Sequence, residues 1–149
     1  MRKFFVASAV VLLCGGAAFA QPAASEWAAF GEPGNAAHIT RTVRIAAGEM
    51  YFDPDELAAK VGDTIEFVVT NKGRKAHEFV IGDEPFQLQH MKEMQAMPGM
   101  EMDEPNELQL KPGESKSVVW HFTKAGDFLY ACDIPGHADA GMEGDLHVK

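Results

Sequence analysis

The sequence predicts an all-β chain, a sandwich or barrel with antiparallel strands, and three observations carry that prediction. Short runs rich in Val, Ile, Thr and aromatic residues recur from residue 39 to the end. Turn-forming clusters separate them, and no long amphipathic helix lies between them. In chain order the runs are 39–46 (ITRTVRIA), 64–70 (TIEFVVT), 78–81 (EFVI), 117–123 (SVVWHFT), 127–131 (DFLYA) and 144–148 (GDLHV). In the second, Ile65, Phe67 and Val69 share one face and Glu66 takes the other, the alternation of a half-buried strand. Val61-Gly62-Asp63, Asn71-Lys72-Gly73, Lys111-Pro112-Gly113-Glu114 and Lys124-Ala125-Gly126-Asp127 supply the turns.

Before the first strand the composition changes twice. Arg2 and Lys3 precede an apolar run over 4–13, and Ala18-Phe19-Ala20 follows with a small-x-small pattern. This reads as a secretory signal peptide over 1–20, too short in its apolar run to span a bilayer, cleaved after Ala20. Leu13 before Cys14 argues against lipoprotein processing, which needs a small residue there. Residues 21–37, rich in Ala, Gly, Pro and Glu, read as a flexible leader that Trp27 and Phe30 could dock. Residues 38–149 then form one domain. The net charge of −9 becomes more negative once Arg2 and Lys3 leave with the signal. Nucleic acid and anionic membranes are therefore disfavoured as partners. The expectation is an exported, periplasmic monomer.

Residues 83–107 interrupt the strand pattern with a polar, Met-rich insertion, long for a loop. Within it, 90–102 (HMKEMQAMPGMEM) holds Met91, Met94, Met97, Met100 and Met102, five of the eight methionines. A short helix stopped near Pro98 would use the first three as ordinary apolar side chains. Alternatively the run is a soft-metal tract, because neutral thioethers select Cu(I). His90, Met91, Met94, Met97, Met100 and Met102 are then a candidate second, Cu(I) site.

The stretch 130–144 (YACDIPGHADAGMEG) places Cys132, His137 and Met142 at intervals of five. With Cys14 removed, Cys132 is the lone thiol of an exported chain, where cysteines ordinarily pair. Either it is an inert buried hydrophobe or a thiolate committed to a metal. Copper cycling between two oxidation states suits two imidazoles and a thiolate in a plane with a weak axial thioether. His77, which opens a strand after a basic turn in NKGRKAHEFV, is the candidate second imidazole. Zinc is disfavoured, since methionine is an unusual zinc ligand.

Together these residues resemble the cupredoxins, the family of plastocyanin, azurin and pseudoazurin, from about Ile39 to Lys149. The carrying features are His77, the run Phe128 to Cys132, Pro135-Gly136-His137, Gly141-Met142 and the final strand after Gly144. The resemblance implies a Greek-key β-sandwich of about eight strands with one type 1 copper near one end. His77, Cys132 and His137 would be its equatorial ligands and Met142 the axial one. His137 would sit at the solvent edge, ringed by Pro135, Gly136, Ala138, Ala140 and Met142. Four residues separate Cys132 from His137, as in azurin, and four separate His137 from Met142, longer than azurin. Glu78 stands where many cupredoxins have Asn.

The remaining candidates read as surface groups: His38, His121 and His147, and the acids Glu78, Asp133 and Asp139. A methionine run beside this domain is similar to exported cupredoxins of the copper-tolerance (CopI-like) type. That resemblance implies a periplasmic copper protein that binds or handles excess copper and meets a redox or copper-handling partner. The alternative is a mobile one-electron carrier, for which the methionines are packing. An enzyme is not expected: the chain has one domain, no His-x-His pair, no Ser-His-Asp arrangement and no phosphate loop.

Overall fold

The computed structural model describes residues 26–99 and 103–149. The expected signal peptide with its cleavage site, and Met100 and Met102, lie outside them. Among the described residues are ten strands: β1 (Glu32–Pro33), β2 (Arg41–Gly48), β3 (Tyr51–Asp53), β4 (Glu56–Ala59), β5 (Thr64–Asn71), β6 (His77–Gly82), β7 (Glu107–Leu110), β8 (Ser115–His121), β9 (Gly126–Ala131) and β10 (Glu143–Val148). They form two five-stranded sheets, in the orders β1-β8-β5-β2-β3 and β4-β10-β9-β6-β7.

All six runs read from sequence are strands, with ends moved by a few residues. Two expectations need correction. Ten strands replace the eight, because β4 (ELAA) and β7 (ELQL) lack the β-branched and aromatic residues that mark a strand, and β1 and β3 are only two and three residues long. The sheets are also mixed rather than antiparallel. β2 runs parallel to β5, with Val43 opposite Phe67, and β4 runs parallel to β10, with Leu57 opposite Leu146. The chain leaves the first sheet at β4 and returns at β5, so β5 enters beside β2 in the same direction.

The inner faces meet through aromatic rings. Ile65, Phe67 and Val69 are fully buried on β5, as their alternation predicts. Across the sandwich Phe67 meets Phe79 at 5.7 Å, and Phe52 meets Tyr130 at 5.5 Å, measured between ring centroids. Each such side chain contributes roughly 1.5–3 kcal/mol by leaving water.

Part of the stretch read as a flexible leader is packed. Phe30 is fully buried, stacked on Trp120 at 5.5 Å and edge-on to Phe86 at 5.2 Å. β1 extends the first sheet by pairing with β8, Pro33 opposite Trp120. Proline is tolerated there because β1 is an edge strand.

The Met-rich insertion begins as α1 (Glu84–Ala96). Asp83 caps it, accepting the Phe86 N–H at 2.9 Å, and the helix ends at Met97, ahead of Pro98. Gln87, His90 and Met94 are its buried residues, one stripe at spacings of three and four. Gln87 donates from Nε2 to the carbonyl of Val80 at 2.7 Å. The stripe therefore docks α1 on the outer face of the second sheet.

Candidate metal centre

β6 and β9 are antiparallel neighbours, with Val80 opposite Ala131. The first residue of β6, His77, therefore lies beside the chain as it leaves β9 at Cys132. From there 132–142 folds back on itself. His137 N–H bonds the Ile134 carbonyl at 2.9 Å, Met142 N–H bonds the His137 carbonyl at 3.1 Å, and Cys132 N–H bonds the Met142 carbonyl at 3.1 Å. Gly141 closes the short turn over Ala138–Ala140 in the left-handed region at φ 97, a conformation costly for any residue with a Cβ. These bonds tie the backbones of Cys132, His137 and Met142 into one unit.

Within that unit the donor atoms of His77, Cys132 and His137 all lie within 4.8 Å of one another. Cys132 Sγ is 3.2 Å from His137 Nδ1, and the two imidazole centroids are 5.2 Å apart. The Glu78 backbone N–H points at Cys132 Sγ at 3.3 Å, a donor suited to a thiolate. All three side chains are buried, with 8% of His137 exposed, and Met142 is fully buried.

Charge is excluded from this pocket. Burial, then the neighbouring His137, holds the His77 pKa below its ordinary value, and burial, then Lys75, does the same for His137. Burial pushes the Cys132 thiol up to about 12, against the Glu78 N–H that lowers it. Both ring nitrogens of His77 are buried and lack a protein hydrogen-bond partner. Leaving such groups unpaired costs about 1–3 kcal/mol each, so the pocket favours a ligand that accepts lone pairs. Neutral imidazoles and a sulfur are the donor set that a copper ion takes, and Met142 adds a thioether on the same backbone unit. The residues fit one copper.

The alternation that turns His77 and Cys132 inward turns Glu78 and Asp133 outward. Both were read as surface acids, and that reading is corrected: Glu78 is 3% exposed and Asp133 fully buried. The outer face they occupy is the one that α1 covers. Between them lies His90, with Nδ1 2.8 Å from Asp133 Oδ2 and Nε2 3.5 Å from Glu107 Oε2. Burial opposes a charged imidazole here, but the hydrogen bond to Asp133 and the facing carboxylate of Glu107 prevail and push its pKa up to about 10. Burial, then Glu107, pushes Glu78 up to about 7.

His90 thus stands apart from the candidate Cu(I) set, because a protonated imidazole facing two carboxylates has no lone pair for copper. The described methionines of the run are not equally placed either: Met94 is buried, Met91 half-buried and Met97 exposed. A spacing of three falls about 60° short of a full turn at each step, which walks the side chains around the helix. The other readings divide. His38 and Asp139 are exposed. His121 is half-buried, with Nδ1 2.9 Å from Thr64 Oγ1. His147 pairs with Asp127 at 2.7 Å, which raises its pKa.

One residue that positions the centre escaped the sequence reading. Asn71, read only as a turn former, is buried and bonds three ways. Its Nδ2 donates to the carbonyls of Lys75 at 2.7 Å and Leu110 at 3.0 Å, and its Oδ1 accepts from Gly73 N–H at 2.8 Å. It holds the turn leading to His77 against the end of β7. Its signal was the Asn-x-Gly spacing, the pattern of a side chain closing its own turn.

Comparison with known proteins agrees with this geometry. Residues 39–149 match the family of copper-binding proteins of the plastocyanin/azurin type. The chain is 45% identical over 121 residues to a protein of Rubrivivax gelatinosus named copper-resistant cuproprotein CopI, covering 80% of this chain and 73% of that one. It is 36% identical to the copper-resistant cuproprotein CopI of Pseudomonas aeruginosa, covering 99% and 98%. Among solved structures, reduced auracyanin from Roseiflexus castenholzii superposes with a TM-score of 0.65 at 26% identity, over 74% of this chain and 98% of that one. With the paired sheets, the buried His-Cys-His group and a match running through the last residue, the chain belongs to the plastocyanin/azurin family of copper-binding proteins, the cupredoxins.

Proposed function

We propose that this protein is an exported, periplasmic copper binder that serves copper tolerance by taking up and handling excess copper. His77, Cys132 and His137 are its equatorial copper ligands and Met142 its axial one. The observation that carries this reading is the meeting of two uncharged imidazoles and a lone thiol within 4.8 Å in a buried pocket. The relatives named copper-resistant cuproproteins support the tolerance role. Copper bound there would supply a one-electron couple. The chain's own part is to hold the donors rigidly between two sheets, so that little rearrangement accompanies a change of charge.

A second reading, a mobile electron carrier, draws on the rim of the pocket. Pro135, Gly136 and Ala140 are exposed around His137, an uncharged patch that a redox partner could approach closely. Both readings describe a binding protein rather than an enzyme, acting as a monomer on a periplasmic redox or copper-handling partner. No described helix is long and apolar enough to cross a membrane.

The test has two arms. Purified protein with Cu(II) should absorb intensely in the visible, and Cys132→Ser should abolish the band; equal spectra would remove the thiolate from the metal. Deleting the gene should slow growth on raised copper, and unchanged growth would favour the carrier reading.

A further inference from the structure

Glu49 lies in the turn between β2 and β3, remote in sequence from every copper ligand, yet the turn leading to His77 is shaped around its carboxylate. Oε1 accepts the backbone N–H of Lys75 at 3.0 Å and that of Arg74 as well. A Cβ at Gly73 would come within 2.5 Å of the same oxygen, so only glycine leaves room for it. The adjoining Lys72 N–H bonds the Ala47 carbonyl of β2 at 2.7 Å. Met50, beside Glu49, adopts a left-handed φ of 67 that a side chain disfavours. Beyond the turn, the oxygen stands 4.0 Å from His77 Nε2. Glu49 is outside the His77, Cys132 and His137 donor group, so it bears on the metal from beyond its ligands, nearest to His77.

A carboxylate beside a metal-binding imidazole does two things. It favours the tautomer with the proton on the facing nitrogen, and it makes the ring a stronger donor to a more positive ion. We propose that Glu49 is a positioning residue of the copper centre: it clamps the 72–75 turn, keeps the His77 proton on Nε2 and favours Cu(II) over Cu(I). The inference rests on the copper reading above. Nδ1 is left as the donor nitrogen of His77.

The test uses the full chain with and without copper. In the metal-free protein, Glu49→Ala should speed amide hydrogen exchange at Arg74 and Lys75 by about tenfold or more, the scale of a lost charge-assisted hydrogen bond. Glu49→Gln keeps an oxygen acceptor and should speed it less. Gly73→Ala, which crowds the carboxylate out, should copy Glu49→Ala and replaces it if that variant fails to fold. In the copper-loaded protein, Glu49→Gln should raise the Cu(I)-to-Cu(II) affinity ratio about tenfold, about 59 mV for one electron. Unchanged exchange in both Glu49→Ala and Gly73→Ala overturns the clamp. An unchanged potential in Glu49→Gln, with the thiolate–copper band intact, overturns the electrostatic role alone. Absence of that band in the parent protein sinks the copper reading and the electrostatic role together, while the metal-free exchange rates still decide the clamp.

Discussion

His90 carries a positive charge that its burial opposes and its neighbours demand. With the pKa near 10 in the folded chain and 6.5 as the ordinary value, folding binds a proton that the unfolded chain loses. That contribution to stability is complete below the unfolded value and disappears as the pH rises to about 10. Glu78, raised to about 7, loses its own contribution at lower pH, which leaves a window for His90 alone among the buried cluster. Between about pH 7.5 and 8.5, below the ordinary range of the Cys132 thiol, the unfolding free energy of the metal-free protein should fall by about 1 kcal/mol. Urea titrations at both ends of that window measure it, and His90→Gln, which cannot titrate there, should flatten the slope. A parent protein equally stable at both ends would mean that His90 is neutral. The same cluster marks the limit of residue-level reading. A cysteine spaced five residues from a histidine and ten from a methionine is legible as chemistry, because few other uses explain the set. Glu78 and Asp133 were misread because alternation says which face a residue takes, not what covers that face.

Elements were legible where their own composition marked them. β5 alternates cleanly, and Pro98 sets the end of α1 against any longer helix. β4 and β7 were not legible, since their strand state comes from pairing with β10 and β6 rather than from local preference. The segment before the first long strand was misjudged for a related reason: Ala, Gly and Pro around it suggested flexibility, and one aromatic ring outweighs them. Phe30 joins Trp120, Phe86 and Phe128, linking the leader, the first sheet, α1 and the second sheet. Phe30→Ala should therefore destabilise the protein by about 3–5 kcal/mol, the range for emptying a buried aromatic site. The urea midpoint should drop with little change in slope. A loss below about 1 kcal/mol would show that this segment only rests on the domain.

At the scale of the molecule, the sandwich separates two sets of sulfur side chains. One set, Cys132 and Met142, is buried, and of the other the described Met91 and Met94 ride on α1 across the outer face of the second sheet. The acids Glu78 and Asp133 and the charge on His90 lie between them, one residue behind the copper ligands. Carriage of electrons needs only the first set. Handling of excess copper would gain from the second, because Met97 is exposed and leads in sequence toward Met100 and Met102. Replacing Met91, Met94, Met97, Met100 and Met102 together by Leu separates the two uses. Leu for Met is nearly volume-conserving, so the one described buried position, Met94, should cost less than about 1.5 kcal/mol. The visible band and one tightly held copper should survive, since the change leaves His77, Cys132, His137 and Met142 untouched. Copper counted per protein under reducing conditions should fall, and growth on raised copper should fall with it. Growth and stoichiometry both equal to the parent would make the methionines packing, and would leave one-electron carriage as the better account of this cupredoxin.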